Sequence, residues 1–337
     1  MSTENQNSKK RIYITHKIPS LGIEMLKDKG YEVTASKDTG LIPQKKIIDI
    51  LKKAEKQGKG YHALLTLLTD KIDAKTIDAG KSLQIVSNYA IGFDNIDVQT
   101  LTSRGVTVTN APGNYTDTIA EHVLGMILAL TTRIVEADTY TRKGSYKGWD
   151  PMIFMGTDLS GKTVGLIGAG RIGERVAYHL AKGFDTDIIY YDTRPNEKIE
   201  RDCRAKRVAT VDELLAQADV VSLHVPLLPS TKHMVNSAFL KKMKKTAFLI
   251  NTSRGPVVDE KALVTALQKN VIAGAALDVF EFEPKLAKGL TKLKNVVLTP
   301  HIASASEHAR FEMARVSAQN IIDVFENKKP TGLVLPQ

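Results

Sequence analysis

The chain has 337 residues, 42% hydrophobic and 25% charged, which suits a soluble globular protein with room for two domains. It contains no apolar run of about 18 residues, and its first residues, MSTENQNSKK, lack an apolar core, so neither a transmembrane helix nor a secretory signal is expected. Lys+Arg 47 against Asp+Glu 37 leaves a formal charge of +10, but the lysines are spread along the chain. The densest group, Lys241, Lys242, Lys244 and Lys245, reads as a solvated helix face, so nucleic acid is not the expected partner.

Cys203, the single cysteine, excludes an intramolecular disulfide and fits a cytoplasmic location. The tail before Arg11 is expected to lack order. Beyond it, Arg11–Ile14 predicts a strand, Leu21–Lys29 a helix, Tyr31–Thr34 a strand and Pro43–Lys56 a helix. Strand-like runs follow at His62–Leu68, Gln84–Asn88 and Val106–Thr109. Strands alternating with helices predict a parallel sheet covered on both faces.

One long helix is predicted over Thr118–Thr141, with Ile119, Val123, Met126, Ile127, Leu130 and Ile134 along one side. A loop through Trp149 and Pro151 leads to a second α/β series. Its strands are expected at Thr163–Ile167, Ile188–Tyr191, Val220–His224, Ala247–Ile250, Gly274–Leu277 and Val296–Thr299. Six strands with intervening helices make a full dinucleotide-binding fold. The final helical stretch, Ser304–Glu326, is expected to return to the first domain and make it discontinuous.

The strand Thr163–Ile167 runs into a G-x-G-x-x-G turn at Gly168, Gly170 and Gly173. In that setting Gly168 permits the tight turn and Gly170 admits a pyrophosphate to the backbone. Gly173 lets helix and strand approach, and the helix N-terminus offers unpaired N–H groups to phosphate. Asp192, at the end of the next strand, can bind the adenosine ribose hydroxyls and repel a 2′-phosphate. This favours NAD, although Arg194 is placed to meet a phosphate and NADP stays open.

Ligands of open α/β sheets sit beyond the carboxyl ends of the strands. Arg254 follows the fourth strand of the second series, Asp278 closes the fifth, His301 closes the sixth and Glu283 lies near them. This set suits reduction of a 2-oxo acid. Arg254 can grip the carboxylate and polarise the carbonyl. His301 can donate a proton as hydride arrives, and Glu283 can hold the imidazole in place with its proton available. His122 reads as a packing or interface residue, and His16, His62, His179, His233 and His308 show no partner pattern. No metal-ligand spacing and no G-x-S-x-G elbow occurs.

Several motifs in order carry a family resemblance: VSNYAIGFDNID from Val86, NAPG from Asn110, TDTIAE from Thr116, the glycine turn, VPLLPST from Val225, NTSRG from Asn251, LDVFEFEP from Leu277 and PHIAS from Pro300. With them the chain resembles the D-isomer-specific 2-hydroxyacid dehydrogenases, in particular the glyoxylate/hydroxypyruvate reductase branch. The resemblance implies a Rossmann NAD domain over 111–303 and a flavodoxin-like substrate domain over 1–110 and 304–337, with a cleft between them. It implies catalysis by Arg254, Glu283 and His301, with the substrate carboxylate held by Ala90, Ile91 and Gly92. Cofactor contacts fall on Arg171, Ile172, Val225, Pro226, Thr231, Thr252 and Asp278.

The family pattern also implies a homodimer through a helix and arm over about 118–155, with Trp149 reaching the neighbouring subunit's site. Two positions depart from the branch: Ala303 stands where Gly is frequent, and Asp192 favours NAD where many members use NADP. The expected reaction is reduction of glyoxylate or hydroxypyruvate to glycolate or D-glycerate. A phosphoglycerate-type dehydrogenase, an enzyme for bulkier 2-oxo acids, or an NAD-gated corepressor-like binding protein are the alternatives.

Overall fold

A computed structural model describes residues 9–336 and divides the chain into two compact units, 1–115 with 306–337 and 116–305. The tail expected to lack order falls mostly outside the described residues. In unit 1 the strands are β1 (Arg11–Ile14), β2 (Glu32–Ala35), β3 (Ala63–Thr66), β4 (Ile85–Asn88) and β5 (Thr107–Thr109). The helices between them are α1 (Ser20–Asp28), α2 (Gln44–Lys56), α3 (Ala74–Ala79) and α4 (Val98–Ser103). The parallel part of the sheet has the order β5-β4-β3-β1-β2, a flavodoxin-like winding.

The central strands are buried along their whole length, as parallel strands covered on both faces must be. The long helix expected near the end runs over Glu307–Phe325, capped by the Ser306 hydroxyl on the N–H of Ala309. It packs on α1 where Gly22 comes so near that a Cβ there would lie 2.8 Å from the Ala314 carbonyl oxygen. A short strand at Leu333–Val334 then pairs antiparallel with β5. The sequence reading lacks this strand because two residues carry no periodicity.

Unit 2 opens on α5 (Thr116–Thr131) and α6 (Ile134–Arg142), bent by 64°. The single helix predicted over Thr118–Thr141 is therefore corrected to two. Thr157 donates its N–H to the Thr131 carbonyl at 2.9 Å, ending the first helix, and Arg133 takes a left-handed backbone, φ 60°. No single helix among the described residues is long and apolar enough to cross a membrane.

The sheet of unit 2 contains β6 (Thr163–Ile167), β7 (Asp187–Tyr191), β8 (Lys206–Arg207), β9 (Val220–Leu223), β10 (Phe248–Asn251), β11 (Gly274–Leu277) and β12 (Val296–Leu298). Seven strands replace the six expected, since β8 is a short exposed edge pair without apolar signal. Their order, β8-β7-β6-β9-β10-β11-β12, is that of a Rossmann fold extended by one strand. The helices are α7 (Arg171–Phe184), α8 (Glu197–Cys203), α9 (Val211–Gln217), α10 (Ser237–Lys242) and α11 (Glu260–Gln268), with α12 the long helix of unit 1. All seven strands are parallel, so their carboxyl ends share one edge. One register row crosses that edge through Tyr191, Ile167, Leu223, Asn251, Leu277 and Leu298.

Candidate active site

The residue following each member of that row is Asp192, Gly168, His224, Thr252, Asp278 or Thr299. The parallel register thus delivers the expected chemical groups of unit 2 to one edge. At its centre β6 and β9 are neighbours, the point where the winding reverses and a crevice opens.

Gly168 turns at φ 97°, and a Cβ on it would lie 2.5 Å from the His224 carbonyl oxygen. A Cβ on Gly173 would meet the Gly168 carbonyl oxygen at 2.4 Å, whereas nothing stands within 4 Å of one on Gly170. Gly170 caps α7 without a side-chain bond, so the helix begins with Arg171 and Ile172 N–H groups that no side chain among the described residues claims. That open backbone over a helix N-terminus fits a pyrophosphate. Ala169 is held from two directions: Asp192 Oδ2 accepts its N–H at 2.8 Å, and Asn196 Nδ2 donates to its carbonyl at 2.7 Å.

Burial works against the Asp192 charge, but the N–H groups of Ala169 and Arg194 outweigh it and hold the carboxyl below the usual range. Asp192 is therefore ionised where a ribose would lie. Beneath the turn, burial pushes the His224 imidazole down to about 4, and its Nε2 has no hydrogen-bond partner among the described residues. The buried Thr252 hydroxyl is likewise unpartnered, an orphan polar atom at the edge where a nicotinamide would sit. These features fit a dinucleotide. Val225 and Pro226 follow His224, but Thr231 spends its hydroxyl locally, donating to the Pro226 carbonyl at 2.6 Å and accepting from Leu228 N–H at 2.8 Å.

On the other side of the edge, Glu283 Oε2 lies 3.0 Å from His301 Nδ1, and Glu283 Oε1 accepts the Phe280 N–H at 3.0 Å. The carboxylate so anchored makes Nδ1 a donor and turns Nε2 outward, with no protein partner among the described residues. Asp278 is fully buried. Its Oδ1 accepts from Thr299 Oγ1 at 2.6 Å and Ile302 N–H at 2.8 Å, and its Oδ2 from Ala303 N–H at 2.8 Å. No atom of Asp278 faces outward, so its role in this structure is to clamp the His301 turn.

His122 joins that clamp: its Nε2 is 3.2 Å from Thr299 Oγ1 and 3.5 Å from Asp278 Oδ1. The reading of His122 as a packing residue missed this, because its partners lie more than 150 residues away in sequence. All five histidines without an evident sequence partner have one in space: His233 meets Glu281 at 2.7 Å, His179 meets Asp117 at 2.9 Å, His16 meets Thr15 Oγ1 at 2.9 Å, His62 Nδ1 accepts the Arg11 N–H at 3.0 Å and His308 meets the Asn114 carbonyl at 3.3 Å.

Arg254 stands at the end of a loop that Asn251 organises, taking the Ser253 N–H on Oδ1 and giving Nδ2 to the Arg254 carbonyl at 3.0 Å. Its neighbour Gly255 lies flat against the next loop, where a Cβ would come 1.8 Å from the Phe280 carbonyl oxygen. The Arg254 loop is thereby pressed against the segment that carries Glu283. In unit 1, Ala90, Ile91 and Gly92 form a loop just past β4. Trp149, on the arm after α6, is 85% exposed.

Residues 124–303 match the model of the D-isomer specific 2-hydroxyacid dehydrogenase NAD binding domain. The chain is 47% identical over 327 residues to a glyoxylate reductase of Thermofilum pendens, covering 96% of this chain and 94% of that one. The chain belongs to the D-isomer specific 2-hydroxyacid dehydrogenases. It is also 44% identical to a glyoxylate reductase of Thermococcus litoralis, covering 97% of each. Among solved structures it is similar to an NADPH-dependent glyoxylate/hydroxypyruvate reductase of Sinorhizobium meliloti in complex with NADP and malonate. That likeness has a TM-score of 0.82 at 32% identity over 97% of each chain. The family's cofactor is a nicotinamide dinucleotide, and the glycine turn, Asp192 and Thr252 are the residues of this 2-hydroxyacid dehydrogenase that would hold it.

Proposed function

We propose that the chain reduces glyoxylate, and hydroxypyruvate beside it, to glycolate and D-glycerate with NADH. The observation that carries this reading is the His301–Glu283 pair at 3.0 Å, with Nε2 left outward on the edge that bears the glycine turn. When bound, the dinucleotide supplies the hydride. Arg254 grips the acid and polarises the 2-oxo group, and His301 Nε2 gives its proton to the carbonyl oxygen. Glu283, anchored on Phe280 N–H, orients the ring and balances the imidazolium before transfer. In the reverse direction His301 is the base. Ala90, Ile91 and Gly92 offer N–H groups to the substrate carboxylate.

Arg194 and Arg207 flank Asp192, and Arg207 already donates to the Asp192 carbonyl at 2.9 Å. Two guanidinium groups there suit a 2′-phosphate, which makes NADPH the second cofactor to assay. Initial rates with NADH or NADPH and a panel of 2-oxo acids test the proposal. Glyoxylate and hydroxypyruvate should lead in kcat/KM, and absence of NADH oxidation with every small 2-oxo acid would sink it.

The helix α6 and the arm after it expose Ile134, Val135, Tyr146, Trp149, Met152 and Met155, apolar surface suited to a second copy of the chain. In that dimer the partner subunit's Trp149 approaches the substrate. Sedimentation of the wild type and Trp149→Ala, with glyoxylate KM measured on both, tests the assembly and the aromatic contact separately. The buried Cys203 thiol is consistent with a cytoplasmic location.

A further inference from the structure

We infer that Asn110 and Asn88 are positioning residues that aim the Gly92 and Phe93 N–H groups, at the end of the Ala90–Gly92 loop, toward the substrate carboxylate. This rests on the reading that the loop binds that carboxylate. The two asparagines stand level on adjacent parallel strands, because Ser87 pairs with Thr109 and each asparagine is the next residue.

From that level they reach the loop's carbonyls. Asn110 Nδ2 donates to the Ile91 carbonyl at 2.7 Å, and Asn88 Nδ2 to the Gly92 carbonyl at 2.8 Å. Ala111 N–H takes the third, that of Ala90, at 2.8 Å. Three consecutive carbonyls are therefore tied back to the unit. Among the described residues, no protein acceptor takes the N–H of Ala90, Ile91, Gly92 or Phe93.

A trans peptide is planar, with its N–H pointing opposite to its C=O. Fixing the Ile91 carbonyl consequently fixes the direction of the Gly92 N–H, and fixing the Gly92 carbonyl does the same for Phe93. Successive N–H groups facing one way make a concave anion site without a charged side chain. Asn110 governs one of its donors and Asn88 the next.

Asn110 is itself braced by the end of the chain. Its carbonyl accepts from Asn320 Nδ2 on α12 at 2.8 Å, and its N–H donates to the Gly332 carbonyl at 2.9 Å. Gly332 donates in turn to Asn320 Oδ1 at 3.1 Å, and a Cβ on it would lie 2.0 Å from the Asn110 carbonyl oxygen. Asn88 is braced by Thr66 Oγ1 at 3.0 Å and by Asn95. A buried Asn88 and a half-buried Asn110, each with rigid backing, are what aiming a backbone requires.

The experiment compares Asn110→Ala, Asn110→Asp and Gly92→Pro in the full chain. The first two remove the donor to Ile91, and the third deletes the N–H that this donor aims. Glyoxylate KM should rise about tenfold in all three, with NADH affinity by fluorescence titration unchanged and kcat falling less than KM rises. The aspartate keeps the asparagine's shape, so a wild-type KM in it overturns the inference even if the alanine variant is too unstable to assay. A raised KM in Gly92→Pro with wild-type KM in both Asn110 variants overturns the positioning role and leaves the carboxylate loop standing. Wild-type KM in Gly92→Pro removes the carboxylate reading, and the inference falls with it.

Discussion

Asp278 fastens the backbone on both sides of His301: its carbonyl takes the His301 N–H at 2.8 Å and its carboxylate takes the next two N–H groups at 2.8 Å each. His301 sits at φ 56°, a left-handed conformation that costs a non-glycine residue about 1–3 kcal/mol. The clamp holds it there. Burial opposes the charge on Asp278, yet donors from His122, Thr299, Ile302 and Ala303 prevail and hold its carboxyl below the usual range. A depressed carboxyl stabilises the fold above its unfolded value and loses that contribution as pH falls through the folded one, so the clamp should fail only in acid below about pH 4.

Asp278→Asn turns one acceptor into a donor facing an N–H. Stability should drop by about 2–3 kcal/mol and kcat by at least about tenfold. Urea denaturation at pH 7 and saturating-substrate rates check both. Wild-type kcat in a stable Asp278→Asn chain would show that His301 keeps its place unaided.

For proton transfer the informative variant is His301→Asn, because asparagine tolerates the left-handed backbone that alanine does not. Loss of a general acid should lower kcat by about 10²–10⁴-fold. NADH binding should be kept. Weakened NADH binding with ordinary turnover would place His301 in the wrong role.

His224 makes a prediction about stability alone. Its folded value of about 4 lies below the ordinary histidine value of 6.5, so above pH 6.5 it contributes nothing either way. As pH falls from 6.5 towards 4, the unfolded chain takes up a proton that the folded chain refuses, and stability is lost. The loss should reach about 2–3 kcal/mol near pH 4.5. His224→Gln should flatten that part of the denaturation profile, and equal slopes in both chains would contradict the assignment.

Asp192→Ala should raise the NADPH-to-NADH ratio of kcat/KM by about tenfold or more, since it removes a charge facing the 2′ position. It also releases the Ala169 N–H, so NADH affinity should weaken at the same time. A ratio that stays put would mean that Arg194 and Arg207 set cofactor choice.

The parallel strands were legible because a strand buried on both faces must be a short apolar run, and Ala63–Thr66, Val220–Leu223 and Gly274–Leu277 are such runs. The glycine turn and its spacing to an acidic residue pointed to Gly168 and Asp192, and the strand-end rule to Arg254, Asp278 and His301, before any geometry. Contacts set by distant chain were not legible. The break at Arg133 depends on Thr157 reaching the Thr131 carbonyl, and the part played by His122 depends on Thr299. The edge pairs Lys206–Arg207 and Leu333–Val334 are too short to carry a pattern. His224 passed as the last residue of a strand, although its carbonyl is what compels glycine at 168.

The interrupted course of unit 1 has a bearing on synthesis. Unit 2 is one continuous stretch, so all its strands are available as soon as Ala305 has left the ribosome. Unit 1 must wait for α12 to cover its sheet and for Leu333–Val334 to complete the edge beside β5. The nucleotide-binding half is therefore born first. Residues 90–92 acquire their final support last, when Asn320 and Gly332 arrive to brace Asn110.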